Sequence, residues 1–359
     1  MIYPFFRSLL FRLDTEQAHG LTLGLLRLAG ALPPLRVVLR SVFAAPRAPV
    51  QAFGLTFNNP VGLAAGYDKD GLGWRGLAAL GFGHIEIGTV TLHPQPGNPR
   101  PRVFRLVEDQ AVINRMGFPG QGAQVVAARL RKRAARLYQR DGHSQARAIR
   151  RTGEVVLGVN LGKNKDTPLD LAVQDYLHLM DIFAPLADYL AINVSSPNTV
   201  GLRQLQAHQA LEGLLIPLAE RQRQQALELG RRVPLLVKLA PDLSEAELDG
   251  ALVALLGAGV DGVIATNTTL SRHGLVSPRA VETGGLSGSP LRVRSLAMLR
   301  QIQDRAQGRL PVVSAGGIMN ARDVRERLEA GAVLVQVYTG LVYAGPGLVK
   351  QIMSNLPRQ

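Results

Sequence analysis

Eight short apolar runs of β-type residues, separated by stretches of helical periodicity, constrain this chain more than any other feature. The runs cover 61–66, 84–90, 156–162, 189–195, 235–240, 262–268, 311–316 and 333–338. Helical spacing of apolar residues falls between them, at 72–80, 171–183, 205–228, 245–257, 291–306 and 321–330. Strand then helix, repeated, predicts a parallel sheet that closes on itself: an α/β fold of the (β/α)8 TIM-barrel type. Residues 52–59 read as a small hairpin closing the barrel's lower end. Residues 91–155 read as a long insertion after the second strand, and such insertions fall on the catalytic face.

The barrel is preceded by a segment of different texture. A helical pattern runs from Glu16 to Leu28, Pro33-Pro34 stops it, and Ala44-Ala45-Pro46-Arg47-Ala48-Pro49 reads as a linker. We therefore divide the chain into an N-terminal helical extension, 1–45, and a barrel domain, 46–359. The extension's apolar faces (Phe5, Phe6, Leu9, Leu10, then Leu21, Leu25, Leu28) and cationic flanks suit a hairpin lying in a membrane interface. A hairpin packed on the barrel would carry the same pattern. No apolar run approaches the roughly 18 residues that span a bilayer, and no cleavage site follows a short apolar core.

Composition excludes several chemistries. There is no cysteine, hence no disulfide, thiolate nucleophile or thiolate-bound metal, and the seven histidines show no ligand spacing, so no metal is expected. The net charge of +14 invites a nucleic-acid reading, but it is concentrated: Arg129 to Arg151 hold nine basic residues against the single acidic Asp141. That stretch reads as a solvated helix face, and no nucleic-acid partner is expected.

Chemistry gathers where the apolar runs end: Ala65-Gly66-Tyr67-Asp68-Lys69, Gly88-Thr89, Asn160, Asn193 to Asn198, Lys238, Thr266-Asn267-Thr268, Gly316-Gly317 and Tyr338-Thr339. In a barrel those ends converge on one mouth, so they predict a single pocket. Two lysines at strand ends imply an anionic partner, because a buried ammonium needs one. Ser314-Ala315-Gly316-Gly317 and Val337-Tyr338-Thr339-Gly340, with Gly284 to Gly288 nearby, fit a phosphate cradle. No Rossmann or Walker motif competes.

Four segments make the reading specific: Gly66-Tyr67-Asp68-Lys69-Asp70-Gly71, Asn114-Arg115-Met116-Gly117-Phe118, Asn193-Val194-Ser195-Ser196-Pro197-Asn198 and Ala265-Thr266-Asn267-Thr268. In this order they resemble the motifs of the dihydroorotate dehydrogenases, nearly end to end. The resemblance implies oxidation of dihydroorotate to orotate with FMN, in pyrimidine biosynthesis. A serine at the base position, no cysteine anywhere and a helical extension together resemble the membrane-associated, quinone-reducing class. By the same resemblance Ser196 is the catalytic base. FMN would be held by Ala65, Gly66, Tyr67, Asp68, Lys69, Thr89, Asn160, Asn193, Lys238, Thr266, Gly288, Gly317, Tyr338 and Thr339. Substrate would meet Lys69, Asn114, Arg115, Met116, Gly117, Phe118, Asn193, Asn198, Asn267 and Thr268, and His19, Arg105 and Tyr338 would line the approach of a membrane quinone. The implied location is the membrane periphery, on the cytoplasmic face of the inner membrane in a bacterium. The chain departs from the family in its long basic stretch and at Tyr67 and Ala344. Two rivals fit less well. A dihydrouridine synthase would carry a cysteine acid, and a basic adaptor would leave the polar strand ends unexplained.

Overall fold

The structure is a computed structural model that describes residues 3–137 and 154–357. Eight parallel strands close into a barrel: Val61–Leu63, His84–Val90, Val156–Leu161, Tyr189–Asn193, Leu235–Leu239, Gly262–Ala265, Val312–Ala315 and Leu334–Val337. Each pairs with its neighbour in chain order, and Val335 opposite Val61 completes the circle. Each run named from sequence contains one barrel strand. Several strands stop early, as in 61–66, where only Val61–Leu63 pairs. The chain leaves the ladder where its glycines and polar residues begin, and those residues form the barrel's mouth.

Helices cover the outside, among them Ala172–Phe183, His208–Leu229, Glu245–Ala258, Arg292–Ala306 and Ala321–Glu329. Glu245–Ala258 shows how local chemistry sets such ends. Ser244 accepts from the Glu247 amide while the Glu247 side chain accepts from the Ser244 amide, and Gly259 ends the helix in the left-handed region. The lower end of the barrel is plugged by the hairpin Val50–Ala52 and Leu55–Phe57. Its Phe53 and Phe57 pack on Val156, Tyr189, Leu236, Ile264 and Leu334.

The insertion after the second strand has its own architecture. Val103–Leu106 and Ala111–Asn114 form an antiparallel pair, and Gly285–Gly288 adds to it as a third strand. The glycine-rich segment 284–288 is thus sheet, because its backbone pairs with a strand some 170 residues earlier, which no local pattern reveals.

Two expectations need correction. Pro33 does not simply stop a helix; it begins another, Pro33–Phe43, because a proline at the first helical position has no amide left unpaired. The extension therefore has three helices, Tyr3–Leu10, Thr15–Ala31 and Pro33–Phe43. The basic stretch is not wholly a solvated face either. Arg133 is buried on helix Ala123–Leu137 and pairs with buried Asp188 at 2.5 Å, while Arg129 donates to the Asp70 carbonyl at 2.8 Å. Residues 138–151 of that stretch lie outside the described residues.

The extension docks on the barrel. Tyr3 donates to the Val342 carbonyl at 2.6 Å, Arg7 to that of Tyr343 at 3.0 Å, and Glu16 pairs with Arg102 at 3.1 Å. The second helix crosses Trp74–Ala78 so closely that a Cβ on Gly76 would lie 2.1 Å from the Leu26 carbonyl oxygen. Its outer side stays apolar and open: Phe5, Phe6, Leu21, Leu25, Leu28, Val37 and Val38 are each more than half exposed. Among the described residues no single helix is long and apolar enough to cross a membrane. The second and third helices pass that test only as a pair bent by 110°.

Candidate active site

The strand ends converge on one cavity that opens to solvent. Ala65, Gly66, Lys69, Thr89, Asn193, Ser196, Asn198, Lys238 and Thr266 to Thr268 line it, together with Gly316, Gly317, Tyr338 and Thr339. The insertion contributes Asn114, Met116, Gly117 and Phe118, and the added strand Ser287 and Gly288. Residues nearly 280 positions apart in sequence thus face one space.

One side of the cavity is a network of amides. Asn193 Nδ2 donates to Thr89 at 3.0 Å and to Asn160 at 3.1 Å, and Thr89 donates to Asn160 at 2.6 Å. Asn267 donates to Ser195 at 2.9 Å, and Asn198 to Asn114 at 3.1 Å. Because these side chains hold one another, their free edges face the cavity in fixed directions, which suits a planar ligand of carbonyl and N–H groups. The buried Ser196 Oγ accepts from the Asn198 amide at 3.2 Å. Arg203 ties this loop down by donating to the Ser195 carbonyl at 3.0 Å and the Thr268 carbonyl at 2.8 Å.

Lys69 supplies a cation at the same side. Its ammonium donates to the Gly66 carbonyl at 2.8 Å, and burial lowers its pKa to about 8 against the opposing pull of Glu16. It stays mostly protonated at neutral pH, as an anion site requires.

The opposite side suits a phosphate. At Gly317 the backbone has φ +71°, and a Cβ there would lie 2.2 Å from Arg292 Cα, so only glycine fits. The Gly316 carbonyl is held by Ser295 at 2.8 Å and by buried Arg327 at 3.2 Å, and the Met319 amide donates to Asp323 at 2.8 Å. The loop is therefore braced from behind, leaving bare backbone toward the cavity.

Four residues expected at the cavity stand elsewhere. Arg115 turns away to pair with Glu282 at 2.7 Å and covers the Phe104 ring. The Asp68 carboxylate accepts from the Leu72 and Gly73 amides and shapes the turn after the first strand. Asn160 lies one layer beneath, behind Thr89 and Asn193. Tyr67 is buried under the mouth, between the rings of His19 at 4.9 Å and Tyr338 at 5.8 Å. Residues missed from sequence include Gln336 and Met319, which line the cavity. Gln336 was findable: a polar residue in the apolar run 333–338 needs a reason to be there.

The three rings form a path from the second helix to the cavity, since Tyr338 lines it. Burial, aided by Lys69, lowers the His19 pKa to about 4, so this imidazole is neutral at physiological pH. Arg105 lies along the other edge of the extension. It donates to the Leu10 carbonyl at 3.0 Å and to that of Leu13, and its guanidinium covers the Phe11 ring at 4.7 Å.

Eight parallel strands closed into a barrel, with their ends gathered on one polar cavity, define a TIM-barrel protein with a binding site at its mouth. A sequence profile described as "Dihydroorotate dehydrogenase" matches residues 47–359, and the chain belongs to that family. Proteins named "Dihydroorotate dehydrogenase (quinone)" are similar over nearly their whole length. That of Anaeromyxobacter sp. is 50% identical, covering 100% of this chain and 93% of its own, and that of Acidithiobacillus ferrooxidans is 49% identical, covering 99% and 95%. A crystal structure of DHODH in complex with ferulenol from Eimeria tenella superposes with TM-score 0.83 at 36% identity, covering 95% of this chain and 90% of that one. The chain is thus an enzyme of this family, in pyrimidine biosynthesis.

Proposed function

We propose that this enzyme oxidises (S)-dihydroorotate to orotate with Ser196 as base, FMN as resident cofactor and a membrane quinone as final acceptor. The observation that carries the reading is the meeting of Ser196, the amide cluster and Lys69 with the braced glycine loop in one cavity. FMN, when bound, supplies a hydride acceptor that a quinone can afterwards reoxidise. The residues fit it. Gly288, Gly317 and Thr339 would take its phosphate, and Thr89, Asn193, Lys238 and Thr266 its ring.

Lys69 and the side-chain amides of Asn114, Asn198 and Asn267 would hold the anionic substrate, and its planar product orotate, against Ser196. The serine takes a proton from one ring carbon as hydride leaves the adjacent one, so two electrons and two protons depart in all. A serine hydroxyl is a weak base, so it must pass its own proton on as it accepts the new one, and fixed geometry supplies much of the rate. The Asn198 amide donating to Oγ stabilises charge there during that exchange.

The apolar outer side of the extension would rest in the membrane surface, with quinone entering between it and the barrel along His19, Tyr67 and Tyr338. A neutral histidine and two phenols suit an uncharged lipid-soluble ligand. A single experiment tests the whole: purified protein should be yellow, bleach with dihydroorotate and regain colour with a soluble quinone analogue. Colour that persists with dihydroorotate overturns the reading.

A further inference from the structure

The barrel interior holds a carboxylate that this reaction does not use. Glu86 sits in the second strand, between Ile85 and Ile87, and is fully buried. Asn160 donates to its Oε1 at 2.9 Å, and Tyr189 and Gln336 donate to its Oε2 at 3.0 and 2.9 Å. These donors are uncharged. The opposing charge is Lys238 Nζ, 4.0 Å from Oε1. Lys238 and Gln336 line the cavity and Glu86 does not, so the carboxylate lies one layer beneath the floor.

An ammonium is costly in so dry a place, and an opposite charge beside it offsets that cost. Burial pulls the Lys238 pKa down and Glu86 pushes it back up. The other titratable groups facing this layer carry no charge. Burial lowers His84 to about 3, and burial, with Glu86 adding, raises Tyr189 far above its ordinary range.

We propose that Glu86 is a positioning residue that keeps Lys238 protonated beneath the cavity and thereby raises the reduction potential of the flavin bound there. The proposal rests on the reading that the cavity takes FMN. An ammonium above its carboxylate is a fixed dipole with the positive end toward the ligand, which favours negative charge on that ligand. Without the carboxylate the ammonium gives up its proton and the dipole disappears.

The test is Glu86→Gln, which keeps the size and an acceptor oxygen for Tyr189 and Gln336. The midpoint potential of the bound flavin is measured against pH by equilibration with redox dyes. It should fall at neutral and alkaline pH, with the equilibrium constant for two-electron reduction down about tenfold, which is about 30 mV. The gap should close as pH falls and Lys238 regains its proton. In a Lys238→Met background the added change should shift nothing. A rise would mean that Lys238 stays charged unaided, and an unchanged potential would make Glu86 a strut; either overturns the proposal. Should Glu86→Gln lose its flavin, the Lys238 ammonium gives a second reading: in nitrogen-15 lysine-labelled protein it should lose its proton at lower pH in the variant than in the wild type stripped of flavin, and an unchanged titration overturns the proposal. A wild-type protein that binds no flavin would instead overturn the parent reading, and the lysine titration would still test the pair.

Discussion

Arg203 Nη1 donates to the Asp242 carboxylate across 2.8 Å, and through that contact the loop bearing Ser196 is locked to two others. Asp242 also accepts from the Leu270 amide and the Thr269 hydroxyl, while Arg203 reaches the Ser195 and Thr268 carbonyls. Neither residue lines the cavity, yet together they set where its hydroxyl and amides stand. Arg203→Met should lower kcat of the dihydroorotate half-reaction at least about tenfold, since small displacements of reacting groups are costly. Flavin content should change little. Stopped-flow bleaching checks the first and absorbance per chain the second.

Ser196→Ala removes the proposed base and leaves the glycine loop untouched. Flavin should remain bound while its reduction by dihydroorotate slows about a hundredfold to ten-thousandfold. Unaltered reduction kinetics in single-turnover experiments would take the base role from Ser196.

Deleting residues 1–45 should separate the two half-reactions. Bleaching by dihydroorotate should persist, because the cavity-lining residues all belong to the barrel and its insertion. Recolouring by a quinone analogue should slow greatly, since His19 leaves and Tyr67 and the Trp74–Ala78 helix lose their cover. Full-rate quinone reduction by the truncated protein would refute the proposed entry route.

His84 gives a pH prediction. Burial lowers its pKa to about 3, and neither ring nitrogen has a hydrogen-bond partner. The unfolded chain therefore binds a proton near pH 6.5 that the folded chain refuses until about 3. Its contribution to stability is whole above the unfolded value and is lost as pH falls, at about 1.4 kcal/mol per pH unit. His84→Phe should flatten the acid slope of the thermal midpoint measured between pH 6.5 and 4. His19, lowered to about 4, adds a similar slope over the same interval.

Much of the site was legible because barrel geometry converts a local signal into a global one. Lys69, Asn193, Lys238 and Thr266 each mark the end of an apolar run, and strand ends of a closed parallel sheet must share a face. The reading failed where the side chain's direction mattered. Arg115 follows Asn114 directly, yet it points out toward Glu282, because neighbours leaving a strand face opposite ways. The resemblance named motif positions as a block and could not say which of them merely support the turn, as Asp68 does.

From its residues alone this chain marks the eight barrel strands and the absence of any thiol chemistry, since periodicity and composition are local properties. What only the tertiary structure decides is long-range pairing. Gly285–Gly288 joins a sheet with Ala111–Asn114, Arg133 leaves a basic run to meet Asp188, and Glu86 finds Lys238 across the barrel. In each case the free energy of a buried polar group depends on its partner, and no segment carries its partner's address.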